Sequence, residues 1–206
     1  MDLNFTEEQK ILRDMVRNLC EEHASTRIVR DMENDPLGVP PGLWAQMKDT
    51  GLLAMMLPEA YGGIGLDTLD RAVIYQELGR ALAPGPHFVS SVMGALAIEK
   101  GGSKAQKDAL LPAIGRGELI VTPAWLEPDN GFGPQGVQLR AETTADGYRL
   151  DGVKRHVFYA RAAQKLIVLA RTGEAADAID LLLVDTDAPG VTLEQQLSMA
   201  SDTQYK

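Results

Sequence analysis

The sequence predicts an α+β chain: an all-helical N-terminal domain over residues 1–117, then a small antiparallel β-sheet or barrel domain over residues 118–206. Three observations carry this. Apolar residues recur on a 3.6-residue period in the first half and give way to short β-branched runs in the second. Helix-start signals cluster before residue 104, at Thr6, Pro41, Asp67 and Ser103. Asp146-Gly147 then sits between two strand-like runs, VQLRAETT and YRLDG, as a hairpin turn would.

Thr6 and Gln9 form a capping box at the first helix, whose stripe is Ile11, Leu12, Met15, Val16, Leu19 and Cys20. A short helix near 28–33 stops before Asp35-Pro36. Pro41 opens the next and Gly51 closes it. The run LLAMMLPEAYGGIGLD breaks at Pro58, Gly62, Gly63 and Gly65, a tight excursion read as a structural turn that fixes helix packing. Asp67 or Thr68 caps a helix carrying Leu69, Ala72, Val73, Ile74 and Leu78. A single apolar helix is expected over residues 88–100, ended by Gly101-Gly102, and a short one follows the Ser103 cap. Strands are expected in ELIVTPAWL, VQLRAET, YRLDG, KLIVLART, IDLLLVD and GVTLEQQ.

Composition excludes several classes of function. A net charge of -9 argues against nucleic acid, which draws most of its affinity from a basic surface, and against an anionic membrane. No apolar run reaches the roughly 20 residues of a membrane span. MDLNFTEEQK lacks the basic and apolar regions of a signal peptide, so a cytoplasmic location is expected and the sequon at Asn4 carries no meaning. Cys20 is the single cysteine; it has no disulfide partner in the chain and is expected in the core. His23 and His87 lack partners at metal-ligand spacing and are expected at the surface or boundary, with no metal. Met55, Met56 and Met93 are expected in helix core, with the lining of an irregular apolar slot as the alternative.

Five pieces, in order, resemble the acyl-CoA dehydrogenase family. They are LNFTEEQKILRDMVR, then GLWAQMKDTGLLAMMLPEAYGGIGLDTLDRAVIYQELGRA, then LLPAIGRGELI, LEPDNGFGPQGVQLRAE and YRLDGVKRHVFYARAAQKLIVLART. The resemblance implies an FAD-dependent oxidation of an acyl-CoA thioester between its α and β carbons. The flavin carries the redox chemistry while the protein supplies position and electrostatics. It further implies electron-transfer flavoprotein or another acceptor as partner, and a homo- or hetero-oligomer.

LEPDNGFGP takes the place of the family's T-E-P-x-x-G-S-D, which meets the flavin ring and the diphosphate. Taken by itself this loop reads either as a solvated turn or as an anion nest built from backbone N–H groups. By resemblance the cofactor-binding residues are Trp125, Leu126, Gly131 and Phe132 here, and His156, Val157 and Phe158 in the segment similar to K-x-W-I-T-N-A. Leu126 stands where a Thr is usual, Phe132 where a Ser is usual, Gly133 for an Asp, His156 for a Trp and Phe158 for a Thr. Each lost hydroxyl removes a donor worth about 1 kcal/mol, while backbone contacts survive. Trp125 either packs under the flavin or fills the core, and core is the expectation for a strand residue. His156 either meets a flavin edge or is an edge-strand histidine with no ligand.

The chain ends SMASDTQYK, inside the family's β-domain. The resemblance implies that the C-terminal helical domain, which carries the catalytic base, is absent, so no catalytic residue is assigned. A fragment of a flavoenzyme is expected. A non-catalytic partner or truncated subunit that associates with a complete homologue is the alternative, and a thioester-binding module without redox function is a third reading.

Overall fold

Thr6 opens the first helix as its spacing predicts. Its hydroxyl accepts from the Gln9 N–H at 3.2 Å, and its own N–H donates to Gln9 Oε1 at 3.1 Å. The structure is a computed structural model and describes residues 4–128, 131–199, 201 and 203–206. It divides into two compact units, residues 1–118 and 119–206.

The first unit is helical. Helices α1 (Glu7–His23), α2 (Thr26–Met32), α3 (Pro41–Asp49) and α4 (Thr68–Arg80) are followed by α5 (Ala95–Gly101) and α6 (Lys104–Gly115). Reciprocal capping boxes close the starts of α4, through Asp67 and Asp70, and of α6, through Ser103 and Gln106. Val16, Leu19 and Cys20 of α1 pack with Leu43 of α3, Leu52 and Leu53 of the following turn, and Ile74 and Leu78 of α4. Burial pushes the Cys20 thiol up to about 11, so it is an inert core group. Met55 and Met56 lie half-buried against the same cluster, and Met93 is half-buried. Gly63 sits so close to the Leu57 carbonyl that a Cβ would collide with it, and Gly62 adopts φ +87°, so the Y-G-G turn is structural.

Three expectations for this unit need correction. The single helix expected over 88–100 is two pieces: a π-helical segment, Phe88–Gly94, and α5. The Ala95 N–H reaches back five residues to the Ser90 carbonyl. His87 is buried, not at the surface. Its Nδ1 accepts from the Tyr75 hydroxyl at 2.6 Å and its Nε2 donates to the Leu52 carbonyl at 3.3 Å, so the ring has both partners a buried imidazole needs. Ile11 and Leu69, counted on apolar stripes, are exposed.

The second unit holds β1 (Val121–Ala124), β2 (Ala141–Thr144), β3 (Gly147–Leu150), β4 (Val157–Phe158), β5 (Lys165–Arg171), β6 (Ile179–Asp185), β7 (Gln195–Gln196) and β8 (Gln204–Tyr205). Among the described residues they form three small sheets, β1-β5-β6, β2-β3 and β4-β8-β7. The hairpin at Asp146 is present, with Thr144 opposite Gly147. Every strand pair is antiparallel except β1 with β5, which run parallel from Val121–Lys165 to Ala124–Val168. The core gathers Ala124, Leu139, Val157, Ala160, Leu166, Val168 and Tyr205.

Candidate functional site

The loop after β1 is anchored at its base by charge. Glu127 is nearly buried, and its carboxylate accepts from the Gln138 N–H at 2.9 Å and the Leu139 N–H at 3.1 Å. Lys154 Nζ, equally buried, donates to Glu127 Oε1 at 2.8 Å and to the Trp125 carbonyl at 3.4 Å. Burial alone pushes Glu127 upward. The Lys154 ammonium and the Leu139 and Gln138 amides outweigh it and hold the carboxyl below its usual range. Burial also pulls Lys154 down, against the opposing pull of Glu127.

Two further contacts complete the anchoring. The Arg155 N–H donates to the Leu126 carbonyl at 2.8 Å. On the far side Arg171 donates to the Val137 carbonyl at 3.1 Å, the Pro134 carbonyl at 3.0 Å and the Ala175 carbonyl at 2.8 Å. The loop then doubles on itself, and a Cβ at Gly136 would collide with the Gly131 carbonyl oxygen.

A cleft of about 270 Å³ opens on this loop, lined by Trp125, Leu126, Gly131, Phe132, Gly133, Val137 and Leu169. Four of the expected cofactor residues, Trp125, Leu126, Gly131 and Phe132, therefore share one wall. Asp129 and Asn130, counted toward an anion nest, lie outside the described residues. Trp125 is exposed rather than in the core, because it follows the last residue of β1 where inward alternation has stopped, and Phe132 is 91% exposed. The backbone N–H groups of Gly131, Phe132 and Gly133 donate to nothing among the described residues.

The second expected segment is displayed differently. His156 has φ +53°, a left-handed conformation that costs a side-chain-bearing residue energy. Its N–H donates to Gln196 Oε1 at 2.7 Å and its Nδ1 pairs with Gln204 Oε1 at 2.8 Å, so the cross-strand pair of β7 and β8 holds both backbone and ring. With the Gln204 Oε1 oxygen as acceptor, Nδ1 is the donor of this pair. Val157 is buried in the core, so a ligand meets only its backbone. Phe158 is partly exposed, and its carbonyl accepts from Thr122 Oγ1 at 2.7 Å.

Sequence reasoning did not assign Glu127, Arg171 or the two glutamines. Glu127 carried a signal, a lone carboxylate between an apolar strand and a Pro-Gly loop, since such a group is buried only with a partner.

Residues 6–118 match the description "Acyl-CoA dehydrogenase, N-terminal domain" and residues 123–204 match "Acyl-CoA dehydrogenase, middle domain". The chain belongs to the acyl-CoA dehydrogenase family. It is 29% identical over 198 residues to the probable acyl-CoA dehydrogenase YngJ of Bacillus subtilis, an alignment covering 94% of this chain and 52% of that protein. Among solved structures it is similar to a variant of the Tcur3481-Tcur3483 steroid ACAD (34% identity, TM-score 0.85, covering 97% of this chain and 54% of that one). It is also similar to the ChsE4-ChsE5 complex of Mycobacterium tuberculosis (27% identity, TM-score 0.86, covering 100% of this chain and 54% of that one). The chain spans about half the length of these relatives.

The residues around the cleft fit part of a flavin site. Trp125 and Phe132 offer exposed aromatic faces, and three consecutive backbone N–H groups have no acceptor among the described residues. The side-chain hydroxyls of the family's pattern are missing from this wall, which leaves aromatic faces and backbone N–H groups on it.

Proposed function

We propose that these residues are the helical and middle portions of an FAD-dependent enzyme that oxidises an acyl-CoA thioester at its α and β carbons. The observation that supports this most is the order of the two family matches, which together run from residue 6 to residue 204. Bound FAD supplies the hydride acceptor. This chain supplies binding and orientation. Trp125 and Phe132 offer apolar faces, and the Gly131–Gly133 amides offer donors to an anionic or carbonyl oxygen. Leu126, Val157 and Phe158 contribute through the backbone beside them, and His156 Nε2 offers an acceptor to a donor on the ring edge. The proton-abstracting base would come from outside these residues, and FAD, when bound, would supply the redox chemistry, with electron-transfer flavoprotein or another acceptor as partner.

The similarity to the ChsE4-ChsE5 complex favours a second reading, in which the chain is one subunit of a hetero-oligomer and need not carry the whole chemistry. One experiment addresses both. The protein purified from its source cells, with whatever polypeptide accompanies it, should show a flavin absorption spectrum that bleaches on anaerobic addition of acyl-CoA. Flavin without bleaching would support the non-catalytic subunit. Loss of both would overturn the flavoenzyme reading.

A further inference from the structure

Two buried polar atoms of the helical unit are unsatisfied among the described residues: Arg71 Nε and Ser91 Oγ. Their residues line the same small cavity, enclosed also by Pro58, Val92, Ala95 and Glu99. Buried donors are almost always partnered, so two orphans on residues that line one space need an explanation. Ser91 is 2% exposed and belongs to the π-helical segment. A helical serine ordinarily bonds a carbonyl one turn back; this one does not. Arg71 gives one hydrogen bond from Nη2 to the Leu66 carbonyl at 3.3 Å, and it makes no ion pair among the described residues.

Size and charge select the ligand. The cavity measures about 30 Å³. That holds one water, which needs roughly 10–15 Å³ by this measure and two to four polar partners. Arg71 Nε–H is a donor, Ser91 Oγ both donates and accepts, and the Glu99 carboxylate on the same wall only accepts. An anion would accept from Arg71 but meet the Glu99 carboxylate, whose charge the exposed Lys100 Nζ, 3.0 Å from Glu99 Oε1, only partly offsets. Water alone both accepts from the guanidinium and donates to the carboxylate.

We infer that this cavity is a binding site for one ordered water, which accepts from Arg71 Nε–H, bonds Ser91 Oγ and donates to Glu99. It joins α4 to the π-helical segment and α5, and stands in for a direct Arg71–Glu99 ion pair. The inference does not depend on the flavoenzyme reading.

The test is a crystal structure of the full chain, grown in bromide and refined where ordered waters are visible. One spherical peak within hydrogen-bonding distance of Arg71 Nε and Ser91 Oγ, without anomalous signal, is the expected result. An empty cavity overturns the inference, and so does a bromide anomalous peak, which would mark a halide site. A solution measurement needs no crystal: Arg71 Hε should show a direct cross-relaxation peak to long-lived water, and its absence would count against the site. Ser91→Val, which fills the space, should abolish the density and the cross-peak. Their persistence in that variant would place the water elsewhere and overturn the assignment.

Discussion

Among the described residues each unit buries one carboxylate, and the two are stabilised differently. Glu77 of α4 takes two guanidinium groups. Arg17 donates to both oxygens, at 2.7 and 3.0 Å, and Arg80 donates at 2.8 Å. Those side chains are 41% and 46% exposed, so only the anion has left water. The Arg17 hydrogen bond, with Arg80 adding to it, outweighs burial and pulls Glu77 down to about 2. Glu127 has one cation, Lys154, and that cation is as buried as the carboxylate, at 8% and 6% side-chain exposure. Both ends of the second pair have been desolvated, and two backbone amides complete its shell. An ion pair with a wet cation tolerates loss of its partner better than a dry pair does, because the stranded cation can still hydrate.

The largest expected effect follows from the dry pair. Lys154→Met leaves the Glu127 charge buried without its cation and should cost about 3–5 kcal/mol in the β unit. Urea unfolding together with amide exchange at Leu139 measures it, and exchange should accelerate there first. Glu77→Gln should cost less, about 2 kcal/mol, because the one amide oxygen still accepts from one guanidinium while the other turns to solvent. If Glu77→Gln proved the costlier of the two, the contrast between wet and dry pairs would be wrong.

Acid titration sharpens the comparison inside the helical unit. Glu77 has a depressed folded pKa, so its contribution is complete above the ordinary 4.5 and is lost as pH falls through 4.5 to about 2. His87 acts in a higher window. Burial holds it down to about 4, against a weaker opposing bond to the Leu52 carbonyl. Between pH 6.5 and 4 the unfolded chain takes up a proton that folded His87 refuses, so stability falls as pH falls. Urea midpoints should already decline in the upper part of this range, above the ordinary carboxylate value of 4.5. His87→Gln, which keeps a hydrogen-bonding side chain without a proton to gain, should flatten that upper part of the profile. A decline that survives the substitution would assign it to another group.

Much of the fold was legible because local signals and tertiary packing agree. Thr6, Asp67 and Ser103 cap the helices whose starts their spacing predicts, and the hairpin forms at Asp146. What was not legible depends on residues far apart in sequence. His87 looks like a loop histidine until Tyr75 and Leu52 close around it. The π-helical segment has the same apolar composition as an α-helix. The parallel pairing of β1 with β5 spans more than forty residues, and no local pattern specifies it. At the site, the motif located the cleft wall through Trp125, Leu126, Gly131 and Phe132. The anchors beneath it, Lys154 to Glu127 and Arg171 to Pro134, became visible only in three dimensions.

The smallest expected effect lies at a third polar cluster, in which an exposed His156 bonds the buried Gln204. His156 stores left-handed strain of about 1–2 kcal/mol for a residue with a side chain. Against this stands its ring hydrogen bond to Gln204, worth about 1 kcal/mol. His156→Gly removes both and retains the N–H bond to Gln196, so the terms offset and the unfolding midpoint should stay within about 0.5 kcal/mol of the parent. A clear gain in stability would mean that the fold tolerates strain at His156 without recovering it in the Gln204 bond, as expected of a residue held in place for a ligand. A clear loss would mean that the buried Gln204 amide, left without its ring partner, costs more than the relieved strain returns.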